Sequence, residues 1–245
     1  MLGLFYMMAN LDRGNLGNAN IAGMSTDIGL TGNQFGTAVT LLYATYVTIE
    51  APTAILLKII GPRYLLAGCA ACWGLTTLCM GFIQNVGGLY ACRLLIGFFE
   101  AAIFPCIDVY IGMVYKKEER GKRAAIIFAF SAFSSAFGGL LAFGLTQING
   151  PNGFEGWRWL FIVEGIITIL IVPLYWFVFP NDAKTAWFLT DDEKRMVRAR
   201  YALNPHWGID DEFSWRAITD VLKDPKFYAL YVRSCPFPPH HKNSN

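Results

Sequence analysis

Six apolar runs, each about as long as a bilayer is thick, constrain this chain more than any other feature. A helix crossing the hydrocarbon core needs about 20 mainly apolar residues. The runs cover about 1–22, 35–57, 64–82, 89–115, 124–146 and 158–179. All are rich in Gly, Ala and Ser, which lets membrane helices approach closely. The strict alternation of a membrane β-barrel is absent. Only 16% of residues are charged and 54% are hydrophobic, against about 25% charged in a soluble domain. The expected fold class is therefore an all-α membrane protein with six transmembrane helices.

Basic residues order the connections. Lys58 and Arg63 lie between runs two and three, and Lys116, Lys117, Arg120, Lys122 and Arg123 between four and five. Lys184, Lys194, Arg195, Arg198, Arg200, Arg216, Lys223 and Lys226 follow run six. The alternate connections, 23–34, 83–88 and 147–157, hold no Lys or Arg. The positive-inside rule then puts the N-terminus and the linker after run six in the cytoplasm.

The expected domains are a six-helix bundle over 1–179, a polar cytoplasmic linker over 180–226, and 227–245 as the start of a seventh helix with an atypical proline-rich tail. Thr190 through Glu193 form a capping box that opens a short basic helix. Ile218, Val221 and Leu222 share one face of a second short helix suited to lying on the bilayer. No secretory signal is visible, because the first run continues into charges without a cleavage site.

Several function classes drop out. A net charge of +2 gives no basic surplus for nucleic acid. Cys69 and Cys72 form a CxxC, but no second pair or nearby His completes a zinc site. His206, His240 and His241 make no metal constellation either. We expect no metal, no cofactor and no enzyme activity; the bilayer is the one partner that composition demands.

The informative residues are the ionisable ones inside the runs: Asp12, Arg13, Glu50, Arg93, Glu100, Asp108 and Glu164. Each costs about 2.5–3.5 kcal/mol at mid-bilayer if unpaired, so they should face a protein interior or a wet cavity. Counting depth at about 1.5 Å per residue, Arg13 lies about 14 Å below the outer edge and Glu100 about 16 Å. They are expected to face one central cavity, as a pair or on either side of a ligand. Asp12 and Arg13 are neighbours on one helix, so their side chains diverge by about 100° and serve separate purposes. Arg93 and Glu100, seven apart, share a face but need partners from other helices. Glu50, Asp108 and Glu164 are candidates for structural or gating contacts, with Asp108 and Glu164 expected as ion pairs of the fold.

Five stretches resemble the major facilitator superfamily, in particular its anion:cation symporter branch with the fungal allantoate, nicotinate and pantothenate permeases. They are LDRGNLGNA (11–19), LLKIIGPR (56–63), RLLIGFFEAAIFP (93–105), YKKEERGKR (115–123) and GWRWLFIVEG (156–165). The resemblance implies the N-terminal half-bundle of that fold, whose two six-helix halves enclose the site between them. It implies substrate binding by Arg13 and Glu100, proton coupling by Asp12, Glu100 and Arg93, and a gating or structural role for Glu50, Lys58, Arg63 and Asp108. The partners implied are a small organic anion, a proton and the missing C-terminal half, in a multi-pass protein of the plasma membrane. Lys58 and Ile59 stand where the superfamily loop motif has Asp-Arg, and SAFSSAFGGLL (131–141) lacks the Gly-Pro of the antiporter motif, which favours symport. The function expected is proton-coupled uptake by alternating access, with this chain a truncated form that does not transport alone. The alternatives are a transporter-like nutrient sensor or a nonfunctional fragment.

Overall fold

The computed structural model describes residues 2–115, 117–148, 154–180 and 186–202. Within them the chain forms α1 (Leu2–Ile21), α2 (Met24–Ile28), α3 (Gln34–Ile60), α4 (Pro62–Met80), α5 (Val86–Glu100), α6 (Ile103–Val114), α7 (Lys117–Thr146), α8 (Gly156–Val178) and α9 (Asp191–Ala202). Among the described residues four stretches are long and apolar enough to cross a membrane: Gln34–Leu57, Val86–Gly112, Glu119–Thr146 and Gly156–Val178. The helices α1 and α4 coincide with the first and third apolar runs. They are more polar, because α1 carries Asp12, Arg13 and four asparagines while α4 opens on Pro62 and Arg63.

The fourth run departs from expectation. It is interrupted at Ala101–Ala102, between α5 and α6. The cause is Pro105, which has no N–H to donate to the carbonyl four residues earlier. The Thr53 hydroxyl, which donates to the Glu50 carbonyl at 2.8 Å, lies 3.5 Å from that Ala101 carbonyl. The start of α5 is fixed by Asn85, whose side chain accepts from the Gly88 N–H at 2.7 Å.

Packing is organised around α4 on α8, α1 on α7 and α8, and α3 on α5. The buried centre holds Phe5, Trp73, Trp157, Phe161 and Tyr175. The GWRWLFIVEG stretch acts as a set of tertiary clamps. Trp157 donates to Asp27 on α2 at 2.7 Å. Arg158 donates to the Ile83 and Gly81 carbonyls beyond the end of α4 and pairs with Glu155 at 2.6 Å. Arg158 therefore satisfies carbonyls that a finished helix leaves open.

The expected capping box is present. Glu193 accepts from the Thr190 N–H and hydroxyl, both at 2.8 Å, and the Glu193 N–H donates back to the Thr190 hydroxyl at 3.4 Å. Those two donors hold the Glu193 carboxyl below the usual carboxylate range. Its contribution is therefore present above the ordinary carboxylate range and lost as pH falls through the lowered value. Thr190→Ala should loosen α9, with amide exchange across its first turn about fivefold faster, the ordinary worth of an N-cap; unchanged exchange would show that the box does not hold the helix. The helix expected around Ile218, Val221 and Leu222, and the segment 227–245, lie outside the described residues.

Candidate functional site

The middle of α1 places Asp12 and Arg13 on different sides, as adjacent helical positions must be. Asp12 is fully buried and turns toward α4. Its Oδ2 accepts from Trp73 Nε1 at 2.6 Å and from the Thr77 hydroxyl at 2.7 Å. Arg13 turns toward α3 and α5. Its Nη2 lies 2.8 Å from Glu100 Oε1, and its guanidinium sits over the Tyr46 ring, 4.7 Å from the centroid. The side chains differ in access: Arg13 is 25% exposed and Glu100 is fully buried. The two residues expected at matching depth are thus brought together as a pair.

Arg93, about two helical turns before Glu100 on α5, is 1% exposed. It does not reach toward solvent, although it stands nearer the helix start. It lies over Phe161 and interacts electrostatically with Asp12, Glu100 and Glu164. Glu164 on α8 is 4% exposed, and its Oε2 accepts from Asn15 Nδ2 at 2.5 Å. The expectation of a fold ion pair is corrected here: among the described residues Glu164 is held by a neutral amide, because Asn15 lies one helical turn beyond Asp12 on the face of α1 that meets α8.

The outcome is a buried group of three carboxyls and two guanidiniums drawn from α1, α5 and α8. Asp12 Oδ1, Arg13 Nε, Arg93 Nε and Nη2, both Glu100 oxygens and Glu164 Oε1 are buried without a direct hydrogen-bond partner among the described residues. Arg13 and Glu100 meet as a short ion pair, Nη2 to Oε1 at 2.8 Å. These polar atoms gather where α1, α5 and α8 meet.

The remaining predicted residues fall elsewhere. Glu50 is half-buried on α3, two positions before Pro52. Asp108 is on an exposed face of α6, not in an inward-facing pair. The Arg63 guanidinium lies over Trp176, 5.1 Å from its ring centroid. Lys58 belongs to the last turn of α3, and its side chain lies outside the described residues. Cys69 and Cys72 are free thiols, and no cluster of metal-ligating side chains occurs among the described residues. Sequence reasoning missed Asn15, Tyr46, Trp73 and Thr77. A usable signal existed for the last two: they are four apart on the otherwise apolar α4 and so share a face.

The sequence pattern described as Major Facilitator Superfamily matches residues 2–237. An uncharacterised transporter of Schizosaccharomyces pombe is 41% identical over 231 residues, covering 94% of this chain and 46% of the relative. A high-affinity nicotinic acid transporter of Saccharomyces cerevisiae is 37% identical over 232 residues, covering 95% and 43%. A major facilitator-type transporter of Emericella nidulans is 35% identical over 242 residues, covering 97% and 49%. These relatives are transporters rather than enzymes. The chain spans about half the length of the curated relatives it matches. Among solved structures, a bacterial homolog of the human lysosomal transporter Spinster, inward-facing and unoccupied, superposes with a TM-score of 0.69 at 18% identity over 83% of this chain and 48% of that one. Its occupied form gives 0.68 at 19% identity over 76% and 44%.

Proposed function

Because this chain belongs to the Major Facilitator Superfamily, we propose that it forms the N-terminal half of a proton-coupled symporter for a small organic anion. All six long helical units cross the plasma membrane in this reading, with α5 and α6 as one span and with the N-terminus and the segment after α8 in the cytoplasm. The bundle is 1–179 in this reading, the linker 180–226, and 227–245 the start of a seventh helix with an atypical tail.

The observation that carries the proposal is the Arg13–Glu100 pair, with its cation partly open and its anion sealed. An incoming carboxylate can reach the guanidinium and take the place of Glu100. Glu100 is then a fully buried carboxylate without its counter-ion, a state that costs several kcal/mol unless a proton binds. Anion and proton therefore load together. Charge supports this: three carboxyls face two guanidiniums, so the empty group is neutral when it carries one proton, and an added carboxylate calls for a second. Arg93 and Asp12 serve the same coupling from the buried side, and Glu50, Lys58, Arg63 and Asp108 act, if at all, in gating or folding. The relative named for nicotinic acid has as its namesake a monocarboxylate of the kind one guanidinium can hold.

The test is uptake by proteoliposomes carrying the complete transporter. A panel of radiolabelled carboxylates is offered with the outside acidic. Saturable uptake of one of them, collapsing when a protonophore removes the gradient, is expected. Uptake indifferent to the gradient would reject proton symport, and uptake of cations or neutral sugars alone would reject the anion.

A further inference from the structure

Three buried carboxyls compete for two guanidiniums, and their surroundings are unequal. Glu100 has Arg13 at 2.8 Å. Asp12 has two hydrogen-bond donors, the Trp73 indole and the Thr77 hydroxyl, and stands first among the charges acting on Arg93. Glu164 has one neutral donor, the Asn15 amide on Oε2, while Oε1 is buried and unpartnered. It also borders a cavity of about 120 Å³ between α1, α7 and α8, lined by Met8, Leu11, Leu141 and Leu160 among other apolar side chains, with Asn15 and Glu164 its polar members. From these contacts we infer that Glu164 is the seat of the network's resident proton: a neutral carboxylic acid while Arg13 and Glu100 are paired.

The groups facing Glu164 from each neighbouring element fit that assignment. From α1 come Asp12 and Asn15, and from α5 Arg93 and Glu100. The α4 donors Trp73 and Thr77 are engaged by Asp12. The helix α7 gives this cavity only apolar side chains, and its charges, at 117–123, lie toward its other end. Arg93 thus stands among three acids, two of them better supplied with partners than the third. With Glu164 neutral, two carboxylates balance two guanidiniums and the apolar cavity borders no charge. The GWRWLFIVEG stretch then contributes a proton-holding residue to the network as well as clamps.

The use of this proton in transport rests on the function proposed above; its residence on Glu164 does not. The test is infrared spectroscopy of the 245-residue chain in phosphatidylcholine nanodiscs at neutral pH. The carbonyl stretch of a neutral carboxylic acid is expected. It should shift on ¹³C labelling of glutamate, which separates it from Asp12, survive Glu100→Gln, and vanish in Glu164→Gln. Absence of the band, or a band that survives Glu164→Gln, overturns the assignment. Should Glu164→Gln fail to fold by circular dichroism, Asn15→Ala decides: removing the amide from Oε2 moves the band if it belongs to Glu164, and an unmoved band places the proton elsewhere. A band on Glu164 in a protein without proton-driven uptake leaves this inference standing and removes the symport reading.

Discussion

Arg13→Ala in the complete transporter should abolish uptake of its anion while leaving the protein folded and at normal surface level. Truncating one partner of a buried charge pair costs about 2–5 kcal/mol, or roughly 30- to 4,000-fold in affinity at about 1.4 kcal/mol per tenfold. Folding tolerates the change better than binding does. Glu100, which loses its counter-ion, can take up a proton and become neutral. Arg13→Lys should recover little, because an ammonium offers a point charge where the guanidinium offers a planar fork that also lies over Tyr46. Glu100→Gln separates the two roles. It keeps the shape and leaves Arg13 open, so the anion still binds, but the step that couples it to a proton is gone and uptake no longer follows the pH gradient. The measurements are initial uptake rates and surface biotinylation. Arg13→Ala transporting at the ordinary rate would remove Arg13 from the site.

That pair was legible in the sequence because a helix rises uniformly. Once the loop charges give direction, counting residues places Arg13 and Glu100 at one depth, and the structure puts them 2.8 Å apart. The separation of Asp12 from Arg13 was legible for the same reason, since neighbours on a helix point apart. The partners of Asp12 were not. Trp73 and Thr77 lie 61 and 65 residues away, and neutral donors barely change the hydropathy of the run that contains them. The partner of Glu164 was not legible either: the Asn15 amide that holds it comes from another helix, 149 residues away. The interruption at Ala101 was readable from Pro105. The clamps formed by Trp157 and Arg158 were not, because they depend on which chain ends meet in space.

The largest loss of stability is expected from Gly165→Leu, at the crossing of α4 and α8. A β-carbon on Gly165 would come within 2.6–2.8 Å of the backbone nitrogen, Cα and Cβ of Leu78. Backbone cannot yield as the tip of a flexible side chain can, so the helices must part. Overpacking of this kind costs about 1–3 kcal/mol and occasionally more, and here it acts on the most extensive helix contact in the chain. Gly97 predicts a parallel case, since its added carbon would meet the Leu42 carbonyl and the Thr45 hydroxyl of α3. Gly139 is the control: it is exposed, nothing lies within 4 Å of its added carbon, and Ala there should be neutral or slightly helix-favouring. Thermal unfolding in detergent, followed by helical circular dichroism, should rank Gly165→Leu well below Gly139→Ala. Equal midpoints would mean that α4 and α8 do not approach as described. The effect should also reach the site. Gly165 follows Glu164 directly, so a displaced α8 lengthens the bond from Asn15 and opens the cavity beside Oε1. Gly165→Ala, the milder change, should therefore shift the Glu164 infrared band at a temperature where the protein is still folded, tying the packing of two helices to the chemistry of the carboxyl between them.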